Sequence, residues 1–268
     1  EMVFFALNLT YLCSMTTETT ASTNIFGIRA IIEAINSGST MNKIYLQKGL
    51  RGSLFFELNL LIKEKGITTS VVPVEKLDRL SKYSNHQGAV AQISPVAFHD
   101  LEPLIEKVLE DKKAPIFLLL DQLSDVRNFG AILRTAECTG VDAVIVQKNG
   151  SAPVNAETIK TSAGAAFKIP ICKVDHIKDA IYMLQASDIK TVAATEKTEI
   201  SIYEVALNQP IAIIMGSEHR GVNPSILKMV DFKAKLPLLG EIESLNVSVA
   251  CGAFLYETIR QRTVNDNS

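Results

Sequence analysis

The chain has no tryptophan among its 268 residues, and only four cysteines and four histidines. Cys13, Cys138, Cys172 and Cys251 make no C-x-x-C pair, and His86, His99, His176 and His219 are equally scattered. This pattern excludes a zinc-finger or disulfide-framework scaffold and predicts no metal. It points instead to a reducing cytoplasm. Positive charge is not in excess either. The formal net charge is −2, which argues against a chain that coats polyanions over its whole surface. The apolar stretch "EMVFFALNLTYLCSM" (residues 1–15) is too short to span a bilayer and has no basic flank, so no membrane partner is expected.

What the chain does contain is globular material: 47% hydrophobic and 21% charged residues, over a length that suits two domains. Charge is unevenly divided. Residues 25–97 hold nine Lys/Arg against five Asp/Glu, a balance of +4, which leaves −6 for the remainder. A basic N-terminal part on an acidic chain fits a module that meets a polyanion. Ahead of it, residues 1–24 read as a disordered tail, with "TTETTAST" polar and unpatterned. Met15 reads as the natural start. Mass spectrometry of the native protein that finds residues 1–14 would refute this.

Hydrophobic periodicity divides the rest. Residues 24–39 read as a helix, with Ile28, Ile31, Ile32 and Ile35 at helical spacing. Strands are expected at 42–49, 67–74 and 88–96, with helices at 53–66 and 75–83 between them, an α-β-α-β-α-β module. A charged helix over 97–115 leads to a second part. There "IFLLLDQL" (116–123) is apolar without alternation, as befits a strand buried on both faces of a parallel sheet. Helices at 128–140, 155–167 and 177–187 alternate with strands at 141–148, 169–174 and 189–195. Further strands fall at 210–218 and 232–238, and a long helix follows Asn246. The alternation predicts a largely parallel α/β sheet covered on both faces.

Three polar clusters stand where strands end, the usual place for a ligand in such a sheet. One is N-x-x-A-x-x-R-T-A, with Asn128 and Arg134. Another is I-M-G-x-E-x-x-G, with Gly216, Glu218 and Gly221. The third, "SLNVSVACGA" (244–253), opens a helix with small and polar residues. Such residues let another backbone come close and offer partners to unpaired N–H groups. Singly, each cluster has a plain structural reading. Asn128 or Ser244 could be an N-cap, Arg134 a surface ion-pair partner, and "GSEHRG" a turn.

Together, in this order, the three runs resemble the three motifs of the SpoU family, S-adenosylmethionine-dependent RNA ribose 2′-O-methyltransferases of the SPOUT class. The resemblance covers residues 25–262. "GIRAIIEAI" and "HQGAVAQI" are similar to the L30e-like substrate-binding domain of the subgroup that methylates a guanosine of 23S rRNA. The resemblance implies an α/β fold: an L30e-like domain over 25–97, a linker helix over 98–114, and a SPOUT domain over 115–268 with a parallel sheet. In the family the third-motif segment is threaded as a deep trefoil knot. Leucine in place of Gly252 is therefore expected to abolish folding or cofactor binding.

The resemblance also implies catalytic roles for Arg134, Asn128, Glu218, Ser244 and Asn246, with Arg134 acting as a base or as a phosphate clamp. S-adenosylmethionine would contact Thr195, Gly216, Leu236, Leu245 and Asn246. RNA would contact Arg29, Lys48, Arg51, His86 and Gln87. The implied assembly is a homodimer whose site needs both chains. Large Phe254, Leu255 and Ile259, against small Ala250 and Ala253, occupy more than one face of the last helix, which suits such a pairing. An absence agrees with the resemblance: "IFLLLDQLSDVRNFG" lacks the glycine-rich turn of Rossmann-like methyltransferases, and Gly130 falls inside a helix. Two alternatives stay open, a family enzyme acting on tRNA and a noncatalytic RNA-binding ribosome-assembly factor.

Overall fold

The computed structural model describes residues 24–242 and 244–265, so Met15 and the tail expected over 1–24, Asn24 apart, lie outside the described residues. In chain order come β1 (Asn24–Phe26), α1 (Ile28–Asn36), β2 (Met41–Gln47), α2 (Ser53–Glu64), β3 (Thr69–Val72), α3 (Val74–Leu80) and β4 (Ala89–Ile93). They form a four-stranded sheet of order β1-β4-β2-β3, with β2 and β3 parallel and the other pairs antiparallel. The helix expected over 24–39 thus begins only at Ile28. Asn24–Phe26 lies along β4, and Gly27, at φ +92°, turns the chain from strand into helix. From there the isoleucine stripe behaves as its spacing predicts: Ile28, Ile31, Ile32 and Ile35 are all buried.

The second part runs α4 (Leu101–Asp111), β5 (Ile116–Leu120), α5 (Val126–Cys138), β6 (Ala143–Gln147), α6 (Ala156–Thr161), β7 (Ile171–Val174), α7 (Ile177–Ala186), β8 (Lys190–Ala194), β9 (Ile211–Met215), α8 (Pro224–Leu227), β10 (Phe232–Ala234) and α9 (Val247–Asn265). The sheet order is β10-β8-β9-β5-β6-β7, and every pair is parallel. β5 shows why its run lacks alternation. Leu118 and Leu120 enter the core on one face, Phe117 and Leu119 the core on the other. The helix expected over 155–167 stops at Thr161. Ala163 (φ +50°) and Gly164 (φ +84°) reverse the chain into a separate 3-10 turn, Ala165–Phe167. α5 packs so closely here that a Cβ on Gly130 would overlap the Thr161 hydroxyl.

The two sheets are tied at Asn42, whose Nδ2 donates to the carbonyls of Ile93 (3.2 Å) and Val154 (2.7 Å). In α9, Arg262 donates to the carbonyls of Ala114 (2.6 Å), Pro115 (3.3 Å), Leu207 (3.4 Å) and Gln209 (3.0 Å). One guanidinium thereby binds the helix to the segments that lead into β5 and β9. Among the described residues no helix is long and apolar enough to cross a membrane.

Candidate active site

β8, β9 and β10 end near one another, and a cleft of about 390 Å³ opens beyond Ala194, Met215 and Ala234. Carboxyl ends of parallel strands are where open α/β sheets bind ligands. Leu236, Leu238, Leu245 and Phe254 give the cleft an apolar wall; Thr195, Glu196, Glu218 and Ser244 give it polar groups. Of the residues expected at the cofactor, Thr195, Gly216, Leu236 and Leu245 all line it. Asn246 stands just outside.

The chain leaves β9 in a tight turn. Ser217 N donates to the Gly221 carbonyl (3.2 Å) and Gly221 N to the Ser217 carbonyl (2.9 Å), with Gly221 at φ +65°. A Cβ on Gly216 would overlap the backbone of Gly221 and Val222. Glycine is required there because the turn folds back directly over it. The turn carries Glu218. Beyond it, Asn223 N donates to Asp121, buried after β5 (2.9 Å). Burial pushes the Asp121 carboxyl above its usual range, against the pull of that hydrogen bond.

Asn246 answers why α9 opens with polar residues. Its Oδ1 accepts from Ser248 N (2.9 Å), Ser248 Oγ (2.6 Å) and Val249 N (3.4 Å), as an N-cap does. With the oxygen so committed, its Nδ2 donates to Glu218 Oε1 (2.7 Å) and Asn128 Oδ1 (3.0 Å). One side-chain amide therefore joins all three clusters. Neither alternative cap is used. α5 is capped by Asp125, which accepts from Asn128 N at 2.8 Å and leaves the Asn128 side chain for the junction. Ser244 is exposed and faces the cleft.

Arg134 stands apart from this junction. Six residues after Asn128, it lies about 120° away from it around α5. It is exposed and makes no hydrogen bond or ion pair among the described residues. Gly252 corrects an expectation. A Cβ there would meet only Thr135 Cγ2 at 3.7 Å, an ordinary contact, so the close backbone approach belongs to Gly216 instead. Next to it, Cys251 is inert: burial pushes its thiol up to about 12.

Four of the five residues expected at RNA gather at one end of the small sheet. Lys48 and Arg51 follow β2, and Gln87 precedes β4, where Gln47 N donates to the Gly88 carbonyl (2.8 Å). Arg29 begins α1 beside them, with Gly27 against the Gln87 side chain. All four are exposed. His86 differs. It is 8% exposed, its Nδ1 accepts from Gly88 N (2.9 Å), and its Nε2 meets Asp78 (3.1 Å). Both ring nitrogens are spent on holding the turn, which leaves none for RNA.

The three-cluster junction and the parallel sheet agree with a family match over residues 115–256, more than half of the chain, to the SpoU rRNA Methylase family. The chain belongs to the SpoU rRNA methylase family. Residues 24–99 of this SpoU chain also match the family model for RNA 2′-O ribose methyltransferase substrate binding. A protein of Staphylococcus haemolyticus named "Putative TrmH family tRNA/rRNA methyltransferase" is 34% identical over 245 residues, 91% of this chain and 98% of that protein. Its namesake in Staphylococcus aureus strain MSSA476 is 35% identical over 241 residues, 90% and 96% of the two chains. Among solved structures, the SpoU methyltransferase AviRb of Streptomyces viridochromogenes in complex with AdoMet shares the fold. Its TM-score is 0.58 at 21% identity, and the match covers 90% of both chains. The A. aeolicus TrmH/SpoU tRNA modifying enzyme matches 62% of this chain and 84% of its own, with a TM-score of 0.53 and 30% identity. SpoU membership makes the chain an RNA methyltransferase.

Proposed function

We propose that the protein transfers a methyl group from S-adenosylmethionine to the ribose 2′-hydroxyl of a guanosine in 23S rRNA. The observation that carries this reading is the Asn246 amide joined to Glu218 and Asn128 beside the cleft. The cleft fits the cofactor. Its volume of about 390 Å³ lies within the range of small-molecule sites (about 300–1,000 Å³), with apolar and acidic groups for the adenosyl and cationic parts. Thr195, Gly216, Leu236 and Leu245 would hold it. When bound, it supplies an electrophilic methyl group on a sulfonium that leaves as a neutral thioether.

The chain's own task is to aim a weakly acidic hydroxyl and stabilise the charge that develops on it. Because Asn128 accepts on its oxygen, its amide nitrogen remains a donor for the ribose or its phosphate. Glu218 holds Asn246 and thereby orders Asn128. A guanidinium keeps its proton, so Arg134 serves as a clamp on a phosphate beside the target and stabilises the forming alkoxide. Residues 25–97 bind RNA, 98–114 link, and 115–268 carry the chemistry, threaded as a trefoil knot at residues 236–262. An exposed thiol at Cys138 matches a reducing cytoplasm.

The active unit is a homodimer that shares its site. Among the described residues Arg134 has no partner, and it stands away from the junction it must serve. Phe254 and Leu255 do not supply the interface, because the chain's own core buries them. Instead Ile242 (78% exposed), Val249 (56%) and Tyr256 (59%) leave apolar surface near the cleft and along α9. The deciding experiment gives the purified protein labelled cofactor with undermethylated 23S rRNA and, in parallel, tRNA. Label at a guanosine 2′-oxygen of 23S rRNA is expected. Label in tRNA alone would overturn the 23S assignment, and no cofactor binding at all would overturn the enzyme reading.

A further inference from the structure

A second cleft is larger than the one beside Asn246. A polar cleft of about 610 Å³ lies between the two sheets, with Thr40, Asn42 and Thr68 from one part and Phe98, Lys148 and Lys173 from the other. Lys173 is the unusual group. Its Nζ donates to Asn42 Oδ1 (3.2 Å) and lies 3.8 Å from the centre of the Phe98 ring. Asn42 can do no more, since it is buried and its nitrogen is committed to Ile93 and Val154. Two other lysines on the wall have carboxylate partners, Lys65 with Glu64 (3.3 Å) and Lys148 with Asp175 (3.1 Å). Among the described residues, Lys173 has no carboxylate within ion-pair distance.

A half-buried ammonium with one amide oxygen and a ring face is under-compensated. Burial lowers its pKa to about 8. An anion in the cleft would relieve this. The lining also offers the Ser39, Thr40 and Thr68 hydroxyls, which suit the several oxygens of a phosphate. Asp100 is the carboxylate of the wall, and it lies at the exposed start of α4. The cleft opens between residues matched to RNA substrate binding (24–99) and residues matched to the methylase (115–256). A strand that runs between the two parts along this face passes the cleft.

We propose that the cleft between the two sheets is a phosphate site that grips the RNA backbone as the strand passes from one part to the other, with Lys173 as its central cation. The proposal rests on the RNA methyltransferase reading for the identity of the strand.

The test uses the full chain. Binding of a labelled fragment of undermethylated 23S rRNA is measured against salt concentration for wild type, Lys173→Gln and Lys173→Arg. Loss of one phosphate contact lowers the slope of log affinity against log salt by about 0.7 and weakens binding about four-fold near physiological salt. Lys173→Gln should show both changes while binding S-adenosylmethionine as wild type does. Lys173→Arg should keep the wild-type slope, and it stands in if the glutamine variant does not fold. Equal slopes for wild type and Lys173→Gln, or a lost slope in Lys173→Arg, overturn the proposal. A second arm titrates inorganic phosphate and AMP while following the Lys173 ammonium by NMR. Saturation by either at micromolar concentration, with no change in RNA slope on mutation, would assign the site to a free phosphate ligand and overturn the strand assignment. Methyl transfer by the wild type is scored separately, so its failure would count against the enzyme reading and leave the salt slopes interpretable.

Discussion

Replacing Asn246 with aspartate keeps the oxygen that caps α9 and removes the donor. A carboxylate would then face Glu218 where the present contact is 2.7 Å. Like charges at that distance repel, so Asn246→Asp should lose most methyl transfer with little change in helix content by circular dichroism. Asn246→Ala should in addition lower stability by about 1 kcal/mol through loss of the cap, read by denaturant unfolding. Arg134→Ala should bind cofactor normally in calorimetry yet lose nearly all turnover, since Arg134 lies outside the cleft. Arg134→Lys should fail as well, because an ammonium does not replace a bidentate fork. Lys173 gives a pH signature. Its pKa falls from 10.5 to about 8 on folding, so between those values the unfolded chain holds more protons. Stability conferred at this site therefore rises with pH across that window. Melting curves of wild type and Lys173→Met should shift in favour of wild type between pH 7.5 and 10; an unchanged difference would contradict the buried-lysine account.

Elements differ in how openly the sequence displays them. β5 and α1 were legible because burial imposes a pattern on neighbouring residues: an unbroken apolar run for the strand, an isoleucine stripe for the helix. β1 was not, because Asn24–Phe26 becomes a strand only by pairing with residues more than sixty positions away. α8 is a single turn, too short for periodicity to register. The same distinction runs through the site. An asparagine before a helix is a visible cap, but its second use, reaching Glu218 and Asn128, needs the folded chain. Lys173 reads as an ordinary surface cation until Asn42, 131 residues earlier, closes over it. The turn after β9 supplies the prediction at this scale. Gly216→Ala puts a methyl group into the Gly221–Val222 backbone, so the turn must open and Glu218 must move. Cofactor affinity should drop at least ten-fold. Gly252→Ala, in ordinary contact with Thr135, should bind as wild type does. Equal effects from the two would show that the crowding has been misassigned.

At the scale of the whole molecule, the shared-site dimer makes the sharpest claim. Mixing Arg134→Ala chains with chains that cannot bind cofactor, then allowing exchange, should restore activity well above either parent. A protein that sediments as a monomer at micromolar concentration would sink the idea. Arg262 concerns the single chain. Removing its hydrogen bonds, as in Arg262→Met, leaves carbonyls of two segments without this donor and should cost roughly 3 kcal/mol in denaturant unfolding. There is a further consequence for how the molecule breathes. One guanidinium holds α9 and the approaches to β5 and β9, so none of the three can loosen without releasing the others. Their slowest backbone amides should exchange with solvent deuterium at a common free energy, as one cooperative unit. In Arg262→Met that unit should divide, with α9 exchanging ahead of the two strands.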